Sequence, residues 1–177
     1  MACGWRSVCG NAAALLLMAA CSSTSAPPTS QTSPPSTSSA VPQAITSGRD
    51  RPARQLTPGE VFPGVTVAQI CTSGYAGSVR GVEHQQYVDV FAAYGVPYPE
   101  PSGAYELDHL IPLELGGDNS DRNLWPEPSQ PTPGYHQKDQ LENRLHDLVC
   151  SGNLDLSKAQ TAIATDWKAA YQMYVPS

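Results

Sequence analysis

Asp108 and His109 are adjacent, Asn123 follows the histidine by 14 residues, and His136 lies 13 residues further on. Hydrolysis of a phosphodiester needs a base to activate water and a cation to stabilise charge on the phosphorus oxygens and the leaving group. Histidine titrates near neutrality and suits the base. A carboxylate beside a second nitrogen or oxygen ligand suits a single divalent ion with open positions. The four residues therefore point to metal-assisted phosphodiester hydrolysis. Rival chemistries lack a motif: the chain contains no HExxH, GxSxG, GxxxxGK[ST] or GxGxxG, which argues against zincin, serine-hydrolase, P-loop and dinucleotide readings.

Such residues must be positioned by regular elements. Successive side chains on a strand point to opposite faces. Asp108 and His109 can thus share one site only at a strand end or bulge, which Pro112 and Gly116-Gly117 permit. Periodicity predicts helices over 83–94 (Tyr87, Val88, Phe91 and Tyr94 on one face, Gly95 as stop), 137–149 (Leu141, Leu145, Leu148, Val149) and 157–174 (Ala159, Ile163, Trp167, Ala170, Tyr174). Ser157 and Gln160 suit a capping box. The run 61–70 reads as strand or irregular lead-in, and 104–149 as two short strands followed by a helix.

The segments DHLIPLELGG, NLWP and HQKDQLEN resemble the HNH (His-Asn-His) endonuclease family, whose fold is the ββα-metal finger. The resemblance covers roughly 104–150. It implies that His109 is the general base, Asp108 a metal ligand, and Asn123 the residue that orients the loop and base or helps hold the metal. It implies His136 as the last ligand of one divalent ion (Mg²⁺, Mn²⁺ or Zn²⁺). The gap from Asn123 to His136 is long and carries Pro126, Pro128, Pro131 and Pro133. Gln140 and Asn143 share a helix face with His136 and are alternative ligands, with His146 one turn further on.

Each residue also has a plainer reading. Asp108-His109 fits a hydrogen-bonded strand terminus, Asn123 a turn, and His136 a solvent-facing helix start. Trp125 reads as a core anchor, His84 as surface, and Lys138 and Arg144 as members of helix-face ion pairs rather than phosphate contacts.

The chain of 177 residues carries 16 acidic and 10 basic residues, a formal charge of −6. That balance excludes nucleic-acid binding through a broad basic groove, so a metal would have to supply positive charge. Ala12–Ala20 behind Arg6 reads as a signal peptide over residues 1–20, and Leu17-Met18-Ala19-Ala20-Cys21 resembles a bacterial lipobox with Cys21 lipidated; ordinary cleavage to a secreted product is the alternative. Residues 22–47 contain 9 Ser, 5 Thr and 5 Pro, so residues 21–57 are expected to form a disordered tether and 58–177 the folded domain. Gly48–Arg54 reads as solvated linker rather than a phosphate-contacting arm. Cys71 and Cys150 remain as an even pair in an exported chain, read as a disulfide against the alternative of two buried thiols.

The expectation is an α+β domain on a ββα-metal finger with flanking helices. It would be an exported monomer that hydrolyses DNA or RNA, touching the membrane through its lipid alone and needing no obligate protein partner. The alternative is a non-catalytic, disulfide-braced surface lipoprotein that uses the finger as a binding module.

Overall fold

Leu107 and His109 lie on one side of Tyr105-Glu106-Leu107-Asp108-His109, and this stretch pairs with the short LWPEP run in an antiparallel two-stranded sheet. Strand β1 (Tyr105–His109) and strand β2 (Leu124–Pro128) are in register with Asp108 opposite Trp125 and His109 opposite Leu124. Pro126 and Pro128 alternate along β2, so their missing N–H groups fall on its free edge and cost the ladder nothing. The structure is a computed structural model that describes residues 50–176. The expected signal peptide over 1–20, the expected lipidation at Cys21 and the Ser/Thr/Pro tract over 22–47 lie outside the described residues.

Five helices join the sheet: α1 (Val67–Ile70), α2 (Tyr75–Val79), α3 (His84–Ala93), α4 (Tyr135–Cys150) and α5 (Leu156–Tyr174). The domain is α+β. The 61–70 run is not a strand: a single bridge joins Val61 to Gly117, and α1 then starts at a capping box between Thr66 and Gln69. The local cap overrides the β preference of Val65 and Val67. Helix α3 ends as its sequence suggests, with Gly95 at φ 66° taking the left-handed position past the C-cap. Helix α4 starts at Tyr135, two residues before the expected 137. The Ser157–Gln160 box does not form: Asp155 is the N-cap of α5, and Gln160 Nε2 donates to the Leu115 carbonyl at 2.8 Å. Helix α5 is broken at Asp166 (φ −160°, ψ 92°), whose Oδ1 accepts from the Lys168 and Ala169 N–H groups and restarts the helix.

Leu141, Leu145 and Val149 of α4 share the core with Ala159, Ile163, Trp167 and Ala170 of α5, and Leu110, Ile111, Leu115 and Trp125 complete it from the sheet side. Each fully buried Leu or Ile contributes about 1.5–3 kcal/mol. The Cys71–Cys150 disulfide ties the C-cap of α1 to the last residue of α4, with Cα atoms 5.6 Å apart. Such a bridge fits an oxidising, extracytoplasmic compartment. Among the described residues no helix is long and apolar enough to cross a membrane.

The stretch following residue 49 packs onto α5 instead of running free. Arg51 pairs with Asp166 at 2.5 Å, Lys168 with Asp50 at 2.7 Å, and Arg54 donates to the Thr165 carbonyl at 2.6 Å. Ala53 and Thr57 are buried beneath these pairs.

Candidate functional site

The loop after β1 is held by one side chain. Asn123 is fully buried; its Oδ1 accepts from the Ile111 N–H at 2.9 Å, and its Nδ2 donates to the Ile111 and Asp118 carbonyls, each at 2.9 Å. The backbone closes tightly under it: a Cβ on Gly117 would lie 1.7 Å from the Ile111 oxygen, so only glycine fits. This clamp fixes how His109 leaves the strand.

His109 is enclosed, with 4% of its surface exposed, and its Nε2 lies 3.1 Å from Asn119 Oδ1. The Asn119 amide is oriented by its other bonds: Nδ2 donates to the Val79 carbonyl at 2.7 Å, and Oδ1 accepts from Gly81 N–H at 3.3 Å. An accepting Oδ1 requires a donating Nε2–H, which leaves the lone pair on Nδ1. Burial lowers the His109 pKa, and the Asn119 bond and the Asp108 charge only partly oppose it. Burial thus favours the neutral imidazole that a base requires. The exposed Arg80 lies close enough for its charge to act in the same direction.

Asp108 faces a charge cluster. Lys138 of α4 is buried, and its ammonium donates to Asp108 Oδ2, to Glu142 Oε1 and to the His109 carbonyl, the last at 2.8 Å. Glu127 of β2 has no exposed surface; its Oε2 is 3.9 Å from the same ammonium, and its carboxyl lies against that of Asp108, to which it donates a hydrogen bond when it carries a proton. Burial would raise Asp108, but the Lys138 charge and hydrogen bonds from Glu127 and Lys138 more than offset it and hold the carboxyl below its ordinary value. Burial raises Glu127 well above its own, with Asp108 and Glu142 adding to the effect against the pull of Lys138. Glu142 is likewise pushed up by burial against the opposing pull of Lys138.

The residues with metal-ligand chemistry on α4 divide between its faces. His136 is exposed, its ring edge-on to Tyr135 with centroids 4.3 Å apart. Two helical positions correspond to about 200° of rotation, so when Lys138 faces Asp108 the His136 side chain cannot. Gln140 Oε1 accepts from the Tyr171 hydroxyl at 3.2 Å, and Asn143 Nδ2 donates to the Asp139 carbonyl at 2.8 Å. His146 lies at the far end of the helix, where Nε2 is 3.1 Å from the Ile70 carbonyl oxygen and 3.4 Å from Cys150 Sγ. The ligand atoms of Cys71, His146 and Cys150 lie within 4.8 Å of one another and could hold a metal ion if the disulfide were reduced.

Asp108, His109 and Asn123 thus come together around one loop, and His136 stays apart. The sequence reading missed the roles of Asn119 and Glu127; it placed Lys138 in a helix-face ion pair, which forms with Glu142, but not the burial of that pair or its contact with Asp108. One signal for that burial was present: Lys138, Leu141, Glu142, Leu145 and Val149 are spaced as a single buried helix stripe, and all five are buried.

A scan against family models, a search of curated proteins and a search of solved structures each found no match to this chain.

Proposed function

We propose that the chain is a metal-dependent endonuclease of the His-Asn-His type, built on a ββα-metal finger and cleaving phosphodiester bonds of DNA, or alternatively RNA, outside the cytoplasm. The observation that carries this reading is the enclosed His109, its Nε2 against Asn119 Oδ1, placed beside Asp108 at the end of β1 over a loop locked by Asn123. His109 Nδ1 takes the proton of the attacking water, Asn119 holds the ring in that tautomer, and Arg80, an exposed cation whose charge reaches the ring, is available for a phosphate contact. Asp108 would hold the ion. The Lys138 ammonium already sits between Asp108 and Glu142, so an ion held by Asp108 would have to replace that charge. When bound, the ion supplies charge stabilisation for a phosphorus oxygen and the departing 3′ oxygen. Export, with a lipid on Cys21 holding the domain to the outer side of a membrane, belongs to the same reading.

The test incubates the oxidised protein with plasmid and single-stranded DNA in Mg²⁺, Mn²⁺, Zn²⁺ or EDTA, with His109→Ala in parallel. The expected outcome is metal-dependent cleavage that falls about 10²–10⁴-fold in the variant, the range for loss of a general base. A second reading, the non-catalytic binding module, is favoured by the ammonium that already occupies Asp108 and by the enclosure of His109. Absence of cleavage from a folded, disulfide-intact sample under every ion would leave that reading standing.

A further inference from the structure

We propose that Arg54 is the anion contact of a small-molecule site between residues 51–61 and α5, and that this site takes an organic monocarboxylate with an apolar body. The inference goes beyond the nuclease reading and does not depend on it.

Two hollows meet at this arginine. A cleft of about 150 Å³ carries Arg51 and Arg54 on its rim, and its floor is Leu110, Ile163 and Trp167, each no more than 2% exposed. A more open groove of about 370 Å³ runs on past Pro58, Val61 and Ile111. Arg54, Ala164 and Thr165 line both. Together they reach the roughly 300–1,000 Å³ of small-molecule sites, which are largely apolar with a few placed polar groups.

The arginine is mounted rather than loose. Its turn closes on the Ala53 carbonyl, which accepts from the Leu56 and Thr57 N–H groups at 2.9 and 2.8 Å. The Ala53 N–H donates to the Tyr94 hydroxyl at 3.0 Å, and Thr57 Oγ1 accepts from that hydroxyl at 2.7 Å while donating to the Leu124 carbonyl at 2.8 Å. At its far end the guanidinium donates from Nη2 to the Thr165 carbonyl at 2.6 Å. Much of the rotamer freedom that an arginine surrenders on binding is thereby already lost.

That bond uses one of five N–H groups, and no carboxylate pairs with the rest. Arg51 is answered by Asp166, Lys168 by Asp50, and Glu60 on the groove by Arg122. Residues 1–49 contain no Asp or Glu. Arg54 is therefore the uncompensated charge of the two hollows. The wider charge balance sets the kind of anion. Residues 50–177 hold all 16 acidic residues and, without Arg6 and Arg49, 8 of the 10 basic ones. A polyanion meets that field along its whole length. A single carboxylate meets Arg54 alone, and the planar fork matches it with two parallel hydrogen bonds. The apolar walls then receive the remainder of the ligand.

The experiment titrates the oxidised, isotope-labelled protein with naphthylacetate and follows its amide and side-chain N–H correlation spectra. Naphthylacetamide keeps the shape without the charge, and acetate keeps the charge without the body. The expected result is saturable shifts at the Arg54 side chain, the Trp167 indole and the Ala164 and Thr165 amides, with a dissociation constant of about 1 mM or lower. The amide and acetate should each bind about tenfold more weakly or worse. Arg54→Gln should erase the preference for acid over amide, with far-UV circular dichroism unchanged, and Arg54→Lys, which keeps the charge without the fork, should fall between. No saturable shift at these residues overturns the proposal. Equal binding of acid and amide overturns it, as does a preference for the acid that survives in Arg54→Gln. Acetate binding as tightly as naphthylacetate also overturns it, because Arg54 is then an ordinary surface cation. If Arg54→Gln disturbs the fold, the three probes on wild type still decide.

Discussion

Replacing Asn123 with alanine removes three hydrogen bonds at once, and the cost can be worked from what each leaves behind. The Ile111 N–H and carbonyl both lose their Asn123 partner, and Ile111 is 4% exposed, so water cannot replace it. A buried backbone group left unpaired costs about 1–3 kcal/mol. The Asp118 carbonyl belongs to a half-buried residue and can turn to solvent, adding little. Asn123→Ala should therefore destabilise by about 2–6 kcal/mol, a large share of the roughly 5–15 kcal/mol of a typical domain. The assay is urea unfolding of the oxidised protein, with the midpoint falling at unchanged slope. Asn123→Asp is a sharper probe. It keeps the acceptor for Ile111 N–H but sets a carboxylate against two carbonyl oxygens, which raises its folded-state pKa. Protonation is then favoured by folding, so the variant should regain stability relative to wild type as pH falls from 7 to 5, and lose it again as pH rises. A loss below about 1 kcal/mol for the alanine variant, or no acid recovery for Asn123→Asp, would refute the clamp.

Two further outcomes follow from groups away from the site. Closing a loop across a sequence separation of 79 residues is worth about 4–5 kcal/mol in the chain-entropy model, so Cys71→Ser/Cys150→Ser should lower the urea midpoint accordingly. The reduced wild-type chain exposes Cys71, His146 and Cys150 to Zn²⁺, so its midpoint should rise with zinc, an effect that His146→Ala abolishes. Asp50 is held below its usual pKa chiefly by the Lys168 hydrogen bond. For Asp166, burial pulls upward, but Arg51 and the Ala169 and Lys168 N–H groups bring it lower still. Carboxyls depressed by folding stabilise above about pH 3.9 and lose that contribution as pH falls through their folded values. Hydrogen-exchange protection across residues 50–57 should thus fall between pH 6 and pH 3, and an Asp50→Asn/Asp166→Asn protein should show no such change.

Helices α3, α4 and α5 were readable because each carries a long apolar face, and their cores hold the residues those faces name: Phe91, Leu141, Leu145, Ile163, Trp167. The cysteine pair was readable from parity and export alone. Helices α1 and α2 were not, because four or five residues are too few to show a period, and α1 depends on a cap that competes with strand propensity. The stretch from Asp50 to Thr57 was read as linker from its charge. Its partners Asp166 and Lys168 lie more than a hundred residues away, and α5 breaks at Asp166 to present them.

The site itself divides along a physical line. Asp108, His109 and Asn123 could be found because adjacency and turn chemistry are local, and a clamp around one loop needs no distant partner. The ligand face of α4 could not be found by looking for a histidine, since residue type says nothing about helical phase. Phase was available from the stripe: Lys138 and Glu142 stand three residues before Leu141 and Leu145, on the stripe that Val149 continues. A lysine and a glutamate on an apolar stripe carry a desolvation cost of several kcal/mol each unless something across the interface answers them. Asp108 and Glu127 are what answers, Asp108 by direct contact with the Lys138 ammonium and Glu127 at 3.9 Å from it, with the two carboxyls against each other. The presence of a buried charge pair on α4 therefore speaks more directly about the centre of this domain than the exposed His136, and it makes Glu127→Gln more discriminating than any change at that histidine.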